Sequence, residues 1–171
     1  MNLRSKALPT DFVFREATSA DVQDMAFCRL SDSAAGPADG RMGAYLSGLH
    51  HPQQALLPRI GYVAVMDQRV VGYIAGHLTT RHGCAGEVQY LFVEPAARRK
   101  AVATRLLRLM ASWFVEYGAR RVCVCLDADS PSARPFYEAV QAVQLSETRR
   151  FWFVWNDIGE VVSLRNGLTP E

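Results

Sequence analysis

Long apolar runs are missing from this chain of 171 residues, and so are dense blocks of one charge. Without about 18 consecutive apolar residues, no segment reads as a membrane-spanning helix. The first ten residues carry two positive charges but no apolar core of signal length, so a cytoplasmic location is expected. With 19 basic and 17 acidic residues the formal charge is only +2. The densest basic clusters, Arg98-Arg99-Lys100 and Arg149-Arg150, are too short for a nucleic-acid or membrane-surface signature. Cysteine is sparse and badly placed for metal or redox work: Cys28, Cys84, Cys123 and Cys125 form neither a CxxC pair nor a zinc array. Buried, reduced thiols are expected, with Cys123 and Cys125 on one face of a strand. His50, His51, His77 and His82 lack metal-site spacing, so no metal is expected. Neither a Gly-Lys-Ser/Thr loop nor a dinucleotide glycine fingerprint is present, which removes the common nucleotide-phosphate enzymes.

What is present is a chain with 49% hydrophobic residues, enough to bury one substantial core, and a length that suits one domain over residues 1–171. Phe12 to Glu16 reads as a first strand. Ser19-Ala-Asp21 offers capping chemistry before an amphipathic helix to about Leu30. Ser31 to Arg59 is rich in glycine and proline, so a loop and one helix near Arg41 to Leu49 are placed there. Gly61 to Met66 and Val70 to Leu78 suit an antiparallel hairpin, with a further turn at Arg81 to Gly86 before a strand from Glu87. Val102, Leu106, Leu107, Met110, Phe114 and Tyr117 recur at helical spacing, and Gly118 supplies a stop. A strand over Arg121 to Leu126, a helix over Ala133 to Val140, a strand over Glu147 to Trp155 and a last strand over Val161 to Arg165 complete the order.

The most informative stretch runs from Glu87 to Thr104. Apolar residues from Val88 to Val93 suit a buried strand, Pro95 stops it, and Arg98, Arg99 and Lys100 stand where a helix begins. The first amides of a helix lack intrahelical partners and the helix dipole favours negative charge there. Small residues at Ala101 and Ala103 leave room for a phosphate, so a phosphorylated ligand is expected. Read structurally, the same three cations are a solvated helix start.

This stretch resembles the acyl-CoA-binding motif of the GNAT superfamily, the GCN5-related N-acetyltransferases. In that motif a strand ending Leu-x-Val-x-Pro leads to Arg/Gln-x-x-Gly-x-Gly/Ala. Leu91, Val93 and Pro95 match the first part, and Arg98, Ala101 and Ala103 occupy the marked positions of the second, with alanine in place of the middle glycine. If the backbone at Ala101 has positive φ, its Cβ costs roughly 1 kcal/mol. A second resemblance lies in Ser130-Pro-Ser-Ala-Arg-Pro-Phe136-Tyr137-Glu138, similar to Asn-x-x-Ala-x-x-Phe-Tyr-Glu with Ser130 replacing asparagine. Pro135 is tolerated there if Ser132 caps the helix. The family's usual continuation Lys-Leu-Gly-Phe reads Ala139-Val-Gln141-Ala142 here, so a locally rebuilt turn is expected. The order of elements is similar to the GNAT fold from about Phe12 to Arg165. It implies an α/β (α+β) architecture with a mixed, mostly antiparallel sheet of about seven strands and about four helices.

The resemblance implies an acetyltransferase that uses acetyl-CoA as cosubstrate and a small-molecule or peptide amine as acceptor, by direct transfer in a ternary complex. It assigns the pyrophosphate to the amides of Arg98, Arg99, Lys100, Ala101, Val102, Ala103 and Thr104, with Arg98 and Lys100 adding charge, and pantetheine and thioester to Leu91, Phe92 and Val93, with Ser130 also in the cofactor-binding set. It makes Tyr137 the candidate general acid and Glu87 the candidate base. Each has a plain structural reading too, Tyr137 as packing beside Phe136 and Glu87 as a polar strand end. By the same resemblance, Ser31 to Leu57 and Arg149 to Trp155 wall the acceptor site. Tyr45, His50, His51, Phe151, Trp152 and Trp155 line that cleft or, as aromatics in a strand often do, build core or a homodimer surface. The substitutions at Ala101 and Gln141 leave a non-catalytic acyl-CoA-binding or regulatory module as the alternative.

Overall fold

The computed structural model describes residues 11–32, 41–126 and 133–164. Strands β1 (Val13–Glu16), β2 (Ala55–Met66), β3 (Arg69–Thr79), β4 (Gly86–Val93), β5 (Val122–Cys125), β6 (Val143–Gln144) and β7 (Trp152–Trp155) form one sheet, in the spatial order β1-β2-β3-β4-β5-β7-β6. All neighbours are antiparallel except β4 and β5. The β2–β3 hairpin turns through Asp67 and Gln68, at φ 50° and 62°, which matches the right-handed twist of the strands it joins.

Helices α1 (Val22–Leu30) and α2 (Met42–Leu46) cover one face. The other face carries α3 (Val102–Glu116), α4 (Ala133–Ala139) and α5 (Gly159–Val162) over the main core. The predicted stripe on α3 faces this core at Val102, Leu106, Leu107, Met110 and Phe114, whereas Tyr117 at the helix end is half exposed. Gly118, at φ 73°, ends the helix: its amide donates to Val115 O, and the next amide, of Ala119, donates to Phe114 O. Phe114 presses on the sheet where a side chain has been omitted. A Cβ on Gly86 would stand 2.5 Å from its ring.

Three expectations need correction. Of the strand expected over Val161 to Arg165, Arg165 lies outside the described residues and the rest is not a strand: Gly159–Val162 is a short helix that packs on the core through Val161 and the preceding Ile158, so apolar spacing over so few residues failed to separate the two periods. Glu147 to Trp155 is interrupted, with a 3₁₀ turn at Glu147–Arg149 capped by the Ser146 hydroxyl and strand only from Trp152. The seventh strand is instead the two-residue β6, so the described residues hold seven strands and five α-helices. Strand β2 also starts six residues early, at Ala55, and passes Pro58 with a register shift between Leu56 and Arg59. Among the described residues no helix is long and apolar enough to cross a membrane, and no group of three His, Cys, Asp or Glu side chains is placed to hold a metal. Cys28, Cys84 and Cys123 are buried, and burial pushes the Cys28 thiol up to about 12; Cys125, at the end of β5, is exposed.

Candidate active site

Between β4 and α3 the chain makes a concave run of amides. Glu94, buried, accepts two hydrogen bonds from Arg69 at 2.6 and 2.7 Å and its amide donates to Val71 O, which fixes the end of β4. Pro95–Ala97 form a 3₁₀ turn. Arg99 and Ala101 then take left-handed backbone, at φ 60° and 59°, with Lys100 between them outside that region, and α3 begins at Val102. Alternating handedness of this kind turns successive N–H groups toward one point and makes an anion nest at the positive end of a helix dipole. The amides of Arg99, Lys100 and Ala101 donate to no backbone carbonyl among the described residues. Ala101 thus does adopt the conformation that suits glycine.

Arg98 has a different task from the one its charge suggested. Its Nε donates to Val93 O at 2.8 Å, its Nη2 pairs with Asp32 at 2.5 Å, and its guanidinium lies over the Phe92 ring. It fastens the turn to β4, while Arg99 and Lys100 stay exposed beside the nest.

Strands β4 and β5 pair only from Gly86/Val122 to Val88/Val124. Beyond Val88, residues Tyr90 to Val93 bond to β3 alone, so the parallel pair parts and leaves main-chain groups along Gln89 to Val93 open on one side. Gln89 is bulged: Ala75 faces Tyr90 and Gly76 faces Val88. The extra residue flips the parity of the strand. Val88, Leu91 and Val93 therefore all meet the α3 side, while Tyr90 and Phe92 meet the α1–α2 side.

On that second side lies Glu87, only 3% exposed. It stands directly across from His77 in the β3–β4 register, and His77 Nε2 is 3.3 Å from Glu87 Oε2. His77 is fully buried, and its Nδ1 is 2.8 Å from the equally buried Tyr45 hydroxyl. Arg81 Nε approaches the same Oε2 at 3.6 Å while its guanidinium donates to Gln53 O. Neither approach is an aligned hydrogen bond, so Oε2 has no donor among the described residues and keeps acceptor capacity. Burial raises the Tyr45 phenol, which stays protonated and holds the imidazole in place. His77 and Arg81 carried no motif in the sequence; only the strand register brings them to Glu87.

Tyr137 sits on α4, 6% exposed, with its ring edge-on to Phe136 at 5.2 Å and to Trp155 at 5.8 Å. Burial raises its phenol well above the usual tyrosine range, so the proton stays on the oxygen at any physiological pH. Trp155 donates from Nε1 to Val140 O at 3.0 Å, tying α4 to β7. Pro135 is the third residue of α4, where its missing N–H costs no helix bond. Ser130 and Ser132 lie outside the described residues. The turn after α4 takes a left-handed residue without glycine: Gln141 has φ 69°, with its amide bonded to Glu138 O and that of Ala142 to Tyr137 O.

Of the aromatic and histidine residues proposed for the acceptor wall, Tyr45 and Trp155 are core, and His50 and His51 engage Arg59 through a backbone carbonyl and a ring nitrogen. Phe151 and Trp152 do line an open cavity, together with His82 and Cys125.

Several solved structures share this architecture. A putative GNAT-family acetyltransferase from Desulfovibrio desulfuricans is 15% identical, with 86% of this chain and 99% of that chain covered and a TM-score of 0.68. The PaiA N-acetyltransferase of Thermoplasma acidophilum, solved in complex with coenzyme A, is 12% identical over 85% and 98% of the two chains, with a TM-score of 0.63. The ribosomal-protein-S18-alanine N-acetyltransferase of Escherichia coli is 11% identical over 84% and 91%, with a TM-score of 0.60. No curated protein sequence matches the chain. Residues 37–143, more than half of the length and including the nest, the parted strands and Tyr137, match the Acetyltransferase (GNAT) family, and the chain belongs to that family.

Proposed function

We propose that the chain is an N-acetyltransferase that moves the acetyl group of acetyl-CoA to a primary amine by direct attack in a ternary complex. The observation that carries this reading is the nest at Arg99 to Ala101, set at the end of the strand that parts from β5. A pyrophosphate fits a concave row of unpartnered amides, and an extended amide-bearing arm fits an unpaired strand edge. The amides from Arg99 to Thr104 are assigned to the pyrophosphate, with charge from Arg99 and Lys100, while that of Arg98 closes the turn on Pro95 O, and the free edge of Leu91, Phe92 and Val93 is assigned to the arm and thioester. Acetyl-CoA supplies an activated acyl carbon and a thiolate leaving group.

Glu87 takes the proton from the acceptor amine on Oε2, directly or through one water, because a protonated amine has no lone pair with which to attack. His77 and Arg81 flank that carboxylate at 3.3 and 3.6 Å. Tyr137 gives its phenol proton to the departing sulfur. Its apolar surroundings keep that proton from being lost to solvent before the C–S bond breaks. Glu87 belongs to the α1–α2 side of the sheet and Tyr137 to the α3 side, and the thioester is assigned to the gap that opens between β4 and β5 beyond Val88. A non-catalytic acyl-CoA-binding module has less support, since Ala101 and Gln141, the two departures that suggested it, both keep the left-handed backbone. A cytoplasmic homodimer completes the proposal.

The test is a thermal-shift titration with acetyl-CoA, CoA and ATP. A ligand of the native state at 100 times its Kd adds about 2.7 kcal/mol. For a domain of this size that is a rise of roughly 5–10 °C. Saturable shifts with acetyl-CoA and CoA but not ATP are expected; no shift with either thioester or thiol would remove the transferase reading.

A further inference from the structure

We propose that the acceptor is a small amine that also carries a carboxylate or a phosphate, and that Arg149 and Arg150 hold this anion in a pocket opening beside the β4–β5 gap. The proposal rests on the transferase reading for its chemistry and on the pocket for its selectivity.

The pocket has a volume of about 600 Å³ and is lined by Arg149, Arg150, His82, Trp152, Phe151 and Cys125. Clefts for small molecules run from about 300 to 1,000 Å³, so the size suits a metabolite better than a folded partner. Its location is catalytic: Cys125 lies one residue beyond Val124, the last residue of β5 to pair with β4, and faces Trp152 across the β5–β7 ladder. Arg81 joins the pocket to the candidate base, with its guanidinium 5.0 Å from the Trp152 ring centre and its Nε 3.6 Å from Glu87 Oε2.

The charge of this pocket is out of balance. Arg149 and Arg150 are exposed, and neither has a carboxylate within ion-pair distance among the described residues. Among the described residues Glu147 is the single acidic residue in the lining, and it does not cancel two guanidinium groups. Arg149 Nη1 donates to His82 Nδ1 at 2.6 Å. A guanidinium only donates, so that nitrogen accepts, the ring is neutral and its hydrogen is on Nε2. His82 Nε2 is buried and has no partner among the described residues. Burial, with Arg149 and then Arg81 nearby, lowers the His82 pKa and so favours the neutral ring. The guanidinium of Arg150 and the Arg149 N–H groups not engaged by His82 are the donor set of an oxyanion site, since guanidinium geometry matches carboxylate and phosphate alike. A polyamine or a lysine-rich tail would meet like charge here.

Thiol release is measured with acetyl-CoA on matched pairs: alanine against ethylamine, phenylalanine against phenethylamine, and O-phosphoethanolamine against ethanolamine. The anionic member of at least one pair should be favoured by about tenfold or more in kcat/KM, the scale of one charge-assisted contact. The amino-acid and phosphate pairs separate the two anion sources. R149Q and R150Q, both at exposed positions, should each collapse that ratio. Equal rates for both members, or turnover of neither by a protein that acetyl-CoA does stabilise, overturns the inference while leaving the cofactor reading intact. If acetyl-CoA gives no shift, the transferase reading falls and the pocket is judged by calorimetric titration of the same compounds. Charge-selective binding lost in R150Q then supports the anion site, and its absence removes it.

Discussion

The turn into α3 is made of main chain, whereas the face around Glu87 is made of side chains that separate segments bring together. At the turn, function lies in the direction of amides, and Arg99, Lys100 and Ala101 contribute mainly by accepting the backbone that aims them. Around Glu87, Tyr45 comes from α2, His77 from β3 and Arg81 from the β3–β4 turn, each meeting the carboxylate or its neighbour through a specific atom. A main-chain site tolerates changed side chains as long as the backbone is kept, and a side-chain site does not. The departures from the family pattern fall accordingly: alanine replaces glycine in the nest and glutamine replaces it after α4, and both take the left-handed backbone that glycine favours.

The largest expected effect comes from the side-chain region. E87Q keeps the size of the residue and removes the basic oxygen. It should lower kcat by about 10²- to 10⁴-fold, the usual contribution of a positioned base. Acetyl-CoA stabilisation should persist, because the nest and the parted strands are untouched. Turnover within a few fold of wild type would mean that solvent deprotonates the amine and that Glu87 only orders His77 and Arg81. Y137F is the matching change on the other side of the sheet. Loss of the phenol oxygen should slow the chemical step by about 10²-fold with acetyl-CoA affinity preserved. An unchanged kcat would reduce Tyr137 to a packing residue between Phe136 and Trp155.

The same contrast explains what was legible in the sequence. The strand, the basic turn and the helix from Glu87 to Phe114 could be read because every feature is local: apolar run, proline, cations, then helical spacing. The bulge at Gln89 was not readable, since parity along β4 is decided by pairing with β3, and that one residue puts Val88 on the side of Leu91 and Val93 instead of the side of Tyr90 and Phe92. His77 could not be assigned a role, because its partner Glu87 is ten positions away and only the hairpin register opposes them. The partner of Arg98 was hidden for a similar reason: its charge was visible, but its ion pair with Asp32 was not. Short terminal elements were the weakest part, as shown by the helix at Gly159–Val162 where a strand was expected.

A smaller effect is expected where the main chain is strained in the nest. A101V puts a β-branched residue at φ 59°, where branched side chains are genuine outliers. It should cost about 1–2 kcal/mol of stability and, by crowding the amides, weaken acetyl-CoA by about tenfold. Denaturant midpoints with and without acetyl-CoA separate the two costs. A stability loss with undiminished acetyl-CoA affinity would show that the phosphate does not use these amides.

Gln141 supplies the control for that experiment, because it has the same backbone handedness away from the nest. Its amide and that of Ala142 close the end of α4 on Glu138 O and Tyr137 O, so the left-handed residue is part of the cap and must stay left-handed. In Q141G the native state sheds about 1 kcal/mol of local steric cost. The unfolded chain gains conformational freedom worth about 0.4–1 kcal/mol, which offsets most of that gain. The net expectation is a stabilisation of at most about 0.5 kcal/mol, or roughly 1–2 °C in Tm. The acetyl-CoA shift should be the same as in wild type, since the cap positions α4 without touching the phosphate turn. A fall in Tm would mean that the Gln141 side chain contributes more than its backbone costs; a changed acetyl-CoA shift would mean that the end of α4 and the cofactor site are coupled, and the division between the two regions would have to be redrawn.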